Sequence, residues 1–394
     1  MFARRTNWNL TPNPLAVALD EHRAAGKELF DLTVSNPTIC GFQYDQRAIL
    51  QALANPEALK YQPIAKGLLP ARQAVAAYYS GLKPFAGNGV DAESIFLTTS
   101  TSEAYSYLFR LRCDPGDELL VPAPSYPLFQ FLADLNEVTL VPYSLVYDHG
   151  WQMDFHSLTT ALSPRSRGVL VVHPNNPTGS FIKPDEAAAL SALCAQRDLA
   201  VIADEVFLDY GLGGSHASFA GNDRALTFTL SGLSKIAALP QMKMAWIVSS
   251  GPAELLQDAI ARLEVIADTY LSQNAPVQLA TPELLEQRGN IQAQIIERVR
   301  TNLEEMDRQL SEQRVCRRLQ VEGGWYAVLR VPVTRSDEEL AVQLLDEQSV
   351  FVHPGHFYDF PSDGYLVLSL LTPVGEFREG LRRMLEKLNA EDAE

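Results

Sequence analysis

Short apolar runs of four to six residues alternate along the middle of the chain with longer segments whose apolar positions recur at helical spacing. From residue 95 the pattern reads IFLTT (strand), STSEAYSYLFRLR (helix), ELLVP (strand) and SYPLFQFLADL (helix). The runs GVLVV and LAVIAD follow, with a helix over 185–197 between them. The run 227–230 ends in a small-residue turn, and MAWIVSS at 244–250 closes the series. Such alternation predicts a largely parallel sheet covered on both faces.

The flanks have a different texture. Asn13 and Pro14 read as an N-cap and first helical position, with Gly26 as the stop. The strand-like ELFDLTV runs into the turn SNPT at 35–38, and YQPIAKGLLPARQAVAAYY reads as a loop closed by Gly67 and followed by a helix. A long helical region begins near Pro252 and continues across ARLEVIADTYLSQNAPVQLA. In the last third, helices over 291–313 and 337–347 alternate with the strands GWYAVLRV, VFVHP and GYLVLSL, and a final helix covers 376 to about 388. That order predicts a smaller α+β lobe. No repeat or Gly/Ser linker makes the lobes independent.

Composition narrows the class of partner. With 394 residues, 46% hydrophobic and 20% charged, the chain suits one large domain plus a smaller one. A net charge of −16 leaves no basic field for nucleic acid or anionic lipid, so a small molecule is expected instead. Cys40, Cys113, Cys194 and Cys316 are scattered, with neither metal-ligand spacing nor a paired framework, which suits a reducing compartment and no metal. The opening MFARRTNWNLTPNP has no apolar core of a leader, and no run approaches the ~18 apolar residues of a membrane span; a cytoplasmic protein is expected.

Three places carry candidate chemistry. Lys235 follows the run 227–230 and stands among Ser231, Gly232, Ser234 and Ile236 to Leu239. An amine in such company loses solvation, favours its neutral form and is a candidate Schiff-base nucleophile, although most lysines are solvated surface groups. The loop at 98–104 sets small hydroxyl residues at a helix start, which suits a phosphate; plain N-capping by Ser100 or Ser102 also accounts for it. Asp204 ends an apolar strand and needs a cationic or donor partner, in a structural ion pair or a functional one. No GxGxxG follows a strand, which disfavours a dinucleotide fold.

Taken in order, Tyr61 with Gly67, the STSEA loop, NPTG at 176–179 followed by Asp204, and Ser234-Lys235 with a cation eight residues on resemble the class I/II aminotransferase family of fold type I pyridoxal-phosphate enzymes. The resemblance covers essentially the whole chain. It implies an α/β fold with a mostly parallel seven-stranded sheet sandwiched by helices, as a large cofactor-binding domain over 36–275, and a small domain of 1–35 plus 276–394. It also implies pyridoxal 5′-phosphate as cofactor, bound as a Schiff base on Lys235, with Asp204 pairing the ring nitrogen and Asn176 donating to the ring oxygen. Ser100, Thr101 and Ser102 fall on the phosphate turn, with Ser234 and Lys243 as further phosphate ligands and Tyr126 stacked on the ring. Tyr61 matches a residue that reaches the neighbouring subunit's phosphate, so a homodimer with shared sites is implied.

Three departures stand out. Lys243 replaces the family's usual arginine, and Phe207 replaces a tyrosine that donates to the ring oxygen. Val367, in YLVLSLL, stands where the family usually clamps the substrate carboxylate with arginine. Candidate replacements are Ser35, Asn36, Lys66 from the partner subunit, His356 and Tyr358, each of them equally a packing or surface residue. The activity implied is transfer of an amino group between an amino acid or amine and a 2-oxo acid. A lyase or decarboxylase on the same scaffold is the alternative, and a regulator of this fold is disfavoured because only a short helix precedes the first strand.

Overall fold

The structure, a computed structural model, describes residues 2–392 except 88, 128, 215 and 272. Eight strands make the central sheet: β1 (Ile95–Thr98), β2 (Glu118–Ala123), β3 (Thr139–Tyr147), β4 (Trp151–Met153), β5 (Ser166–Val172), β6 (Ala200–Asp204), β7 (Thr227–Gly232) and β8 (Ala245–Ser250). Their spatial order is β1-β8-β7-β6-β5-β2-β3-β4. β8 runs antiparallel to both neighbours and β4 is an antiparallel edge; the other six are parallel.

The resemblance implied seven strands and the sheet has eight. The two that the six runs read from the sequence pattern leave out are the hairpin β3–β4 at the sheet's edge, where only Tyr143 of the nine β3 residues is buried and Pro142 interrupts the pattern. An edge strand needs neither alternation nor a full set of N–H donors, so its sequence carries little signal. The central strands β6 and β7 are buried at every position, which explains their nearly continuous apolar runs.

One face of the sheet is sealed by Phe96, Leu108, Phe109, Ile202, Phe228 and Leu263. The other buries Ile95, Leu97 and Trp246 against Val75 and Leu284, and Val169 and Val201 against Leu190. Gly67, at φ +87°, closes the loop below β1, where a Cβ would lie 2.5 Å from Leu97 Cδ1.

The helical region after Pro252 is not continuous. It splits into Ala253–Tyr270 and Ala275–Glu286, broken at Leu271 (φ +67°), and Asn274 caps the second helix through the Val277 N–H. That second helix packs Val277, Ala280 and Leu284 on the large sheet's face with Ala71 and Val75.

The smaller sheet has the order Arg317–Arg318, Tyr326–Arg330, Tyr365–Ser369, His353–Pro354, all antiparallel. Phe30–Asp31 pairs in parallel with Val350–Phe351. The core beneath, with Ile295, Val299, Leu329, Leu366 and Phe377, also contains Phe207, Tyr210 and Ala238. The small lobe is thus packed directly on the segments that leave β6 and β7.

Candidate active site

Five of the segments singled out above leave the same edge of the sheet. The 100–102 turn follows β1, Tyr126 follows β2, Asn176 follows β5, Asp204 ends β6 and Lys235 follows β7; all are carboxyl ends of parallel strands, where open α/β sheets bind ligands. Register brings the ends level, since Asp204 pairs with Val172 on one side and Leu230 on the other.

Lys235 sits in a four-residue helix, Leu233–Ile236, whose Leu233 and Lys235 carbonyls accept from the backbone N–H groups that follow. Side chains from three distant segments donate to this stretch as well. Tyr210 Oη lies 2.6 Å from the Lys235 carbonyl, Gln292 Nε2 2.8 Å from that of Ile236, and Tyr44 Oη 2.8 Å from that of Ala238. The Lys235 ammonium position lies over the rings of Trp325 (4.7 Å to the centroid) and Phe207 (5.4 Å), which meet edge to face. Burial pushes the amine down to about 8 despite the opposing pull of Asp204.

Asp204 is buried. Tyr105 Oη donates to its Oδ2 at 2.7 Å and the Val206 N–H donates to Oδ1 at 3.1 Å. Burial raises its pKa; these two donors and Lys235 oppose that. Tyr105 was missed in the sequence because it lies inside a helix, one turn beyond the hydroxyl-rich start, where an aromatic reads as core.

Ser100 caps the helix Thr101–Arg112 through Oγ and the Glu103 N–H (3.2 Å), while Glu103 Oε2 accepts from the Thr99 N–H (2.7 Å). Capping does not exclude an anion here, since the first N–H groups of this helix have no intrahelical acceptor. Asn176 is buried, yet its Oδ1 has no hydrogen-bond partner. Its neighbour Asn175 is fully engaged with the Pro124 carbonyl and Thr178, and Gly179, at φ +69°, returns an N–H to the Asn175 carbonyl. An unpaired buried amide oxygen is costly unless a ligand supplies the partner.

A model of the family described as aminotransferase class I and II matches residues 28–374. The chain belongs to that family. Glutamate-pyruvate aminotransferase AlaA of Escherichia coli K12 is 28% identical over 259 residues, 65% of this chain and 63% of that protein, so the match spans under two thirds of that relative. Alanine aminotransferase of Mycobacterium tuberculosis H37Rv is 29% identical over 375 residues, 92% of this chain and 86% of the relative. Among solved structures, alanine aminotransferase from Pyrococcus furiosus superposes with a TM-score of 0.89 at 21% identity, covering 99% of this chain and 100% of that one, a likeness of fold.

The remaining candidates divide sharply in this aminotransferase-family chain. Ser35 lies near Tyr326, and the strand Tyr365–Ser369 anchors its loop, Ser369 Oγ donating to the Val34 carbonyl at 2.5 Å. Tyr358 is buried, its hydroxyl paired with His353 Nδ1 at 3.0 Å and its carbonyl accepting from the Ser125 N–H beside Tyr126. Three candidates are placed otherwise. Asn36 spends its Oδ1 on the N–H and hydroxyl of Thr38. Lys66 is bound within its own chain to the Glu93 carbonyl and between the carboxylates of Glu93 and Glu264. His356 is exposed against Phe357.

Val367 is buried with Val328, Trp151, Tyr358 and Phe360, an apolar cluster with no charged member. Ser234 is half-buried beside Lys235. Lys243 is exposed in a left-handed conformation (φ +51°), its carbonyl accepting from Gln273 Nε2, and its ammonium makes no ion pair among the described residues. Tyr61 is 76% exposed. Among the described residues no cluster of His, Cys, Asp or Glu could hold a metal, and no helix is long and apolar enough to cross a membrane.

Proposed function

We propose that this chain is a pyridoxal 5′-phosphate-dependent transaminase that moves an amino group between an amino acid or amine and a 2-oxo acid. The observation that carries the reading is the meeting, at one sheet edge, of a desolvated lysine amine and a buried carboxylate. These residues fit the cofactor. When bound, it supplies an aldehyde for Lys235 and a ring that takes up electrons from the substrate carbon.

The chain's part is positioning and proton movement. With the cofactor bound, Asp204 would hold a positive ring nitrogen, the Asn176 amide Nδ2 would donate to the ring oxygen, and Tyr126 would cover the ring. The N–H groups at 100–102 would hold the phosphate, with Ser234 and Lys243 as further ligands. Lys235 Nζ, whose neutral form is favoured by a pKa lowered to about 8, can take a proton from the substrate C–H and hold it for onward transfer, its segment fixed by Tyr210, Gln292 and Tyr44.

Alanine, glutamate and pyruvate, named in the relatives, are the first substrates to test. With Val367 apolar, the donor's carboxylate is left to Ser35, Tyr326 and Tyr358. We place the protein in the cytoplasm as a homodimer in which Tyr61 reaches the partner's phosphate; the exposed Leu59, Tyr61, Ile64 and Leu69 support a covered face there. The division into 36–275 and 1–35 plus 276–394 is our proposal too, with helix Ala275–Glu286 packed toward the larger unit.

The test is spectral and chemical. The purified protein should show a visible band that shifts on adding an amino donor and returns with a 2-oxo acid, and borohydride should fix the cofactor on the Lys235 peptide. Release of ammonia or carbon dioxide without that return would mean a lyase or decarboxylase. A protein with no trapped cofactor would refute the reading.

A further inference from the structure

We propose that Tyr105 is a positioning residue for Asp204: its phenol keeps that carboxylate ionised and in one orientation at the cofactor ring. The inference rests on the reading that Asp204 meets the ring nitrogen, and goes beyond it by assigning the group that controls Asp204.

Both partners are buried, at 2% and 7% exposure, and Oη lies 2.7 Å from Oδ2. Tyr105 is the only side chain among the described residues that hydrogen-bonds this carboxylate; the second donor, the Val206 N–H, holds the other oxygen. The phenol ring is itself fixed, edge-on to Phe129 at 5.2 Å and tilted against Phe109 at 6.0 Å. Phe129 also meets Tyr126 at 6.0 Å, so the group that positions Asp204 and the aromatic proposed to cover the ring share one wall.

Other titratable groups act on Asp204 through space. Lys235, from the segment after β7, favours the anion. Tyr126, Tyr79 and Glu205 are the remaining ionisable neighbours, and Glu205 is turned to Ser218 Oγ and the Phe219 N–H, 2.6 Å from each. Burial pushes Asp204 toward protonation, and a neutral carboxyl cannot stabilise a positive ring nitrogen. The Tyr105 hydrogen bond is made to the ionised form, so it holds Asp204 anionic to lower pH than burial alone permits.

The test uses the full-length protein stripped of cofactor. Affinity for pyridoxal 5′-phosphate is measured from pH 5.5 to 8.5 for wild type, Y105F, D204N and the double variant, and read as the ratio to wild type, which removes the cofactor's own titrations. Y105F should lose about ten-fold at the acid end and less than about three-fold at the alkaline end, because without the phenol's hydrogen bond its Asp204 protonates at higher pH. In D204N the added Y105F change should have no effect. Replacing Tyr105 by 3-fluorotyrosine, a stronger donor of nearly equal volume, should move the acid loss to lower pH, and decides the matter if Y105F folds poorly. A Y105F ratio that is constant with pH, or a Y105F effect that persists in D204N, overturns the inference. Wild type that binds no cofactor overturns the functional reading, and this one with it.

Discussion

Lys235 is a cation held where cations are poorly solvated, and this sets a measurable stability cost. Its folded pKa of about 8 lies below the ordinary lysine value of 10.5. Between those values the unfolded chain binds the extra proton, so the penalty is full below pH 8 and is relieved as pH rises toward 10.5. Lys235→Met keeps an apolar stem between Phe207 and Trp325 and removes the charge. The cofactor-free variant should be more stable than wild type by roughly 1–2 kcal/mol at pH 7, with the gap closing by pH 10, in urea titrations at the two pH values. An equal stability at pH 7 would mean the amine is well solvated. Lys235 and Asp204 could be picked out as candidates because each stands where an apolar strand pattern stops, whereas Asn176 was singled out by the family resemblance alone. Tyr105, Tyr210, Gln292 and Tyr44 were not legible in the sequence: they lie in helices and loops 25 to 194 residues from the groups they hold, and local pattern carries no trace of such partners.

At the scale of elements, caps decide where helices start and stop. Ser336 and Glu339 form a reciprocal box at the start of Asp337–Gln348: the Glu339 N–H donates to Ser336 Oγ at 3.2 Å, and the Ser336 N–H to Glu339 Oε2 at 3.0 Å. Ser336→Ala should destabilise the protein by ~1 kcal/mol without changing cofactor affinity, as measured by urea unfolding and a binding titration. The same helix ends on Ser349 at φ +58°, a left-handed residue with a Cβ. Ser349→Gly should stabilise by roughly 0.5 kcal/mol, since the conformational relief outweighs the added freedom of the unfolded chain. Starts of this kind were readable, as Asn13 before Pro14–Ala24 also shows. The gap at 271–274 was masked by apolar residues on both sides. The hairpin β3–β4 escaped for the opposite reason, since an exposed edge has no pattern to read.

In the whole molecule, the proposed homodimer would complete each site with Tyr61 of a second copy, a residue that is exposed on the surface of its own chain. It borders a groove with Leu68, Pro70, Gln273 and Gln278. Shared sites have a consequence that separate sites lack. Lys235→Ala and Tyr61→Ala should each be strongly impaired alone as homodimers. Mixed, reversibly dissociated and reassociated, half of the dimers carry one chain of each kind, and in those dimers one site has both an intact lysine and an intact tyrosine while the other has neither. About a quarter of wild-type activity should therefore return on mixing, read as turnover after reassociation. Sites contained within single chains would give no gain over the average of the two variants, since no exchange of subunits could bring Lys235 and Tyr61 back together.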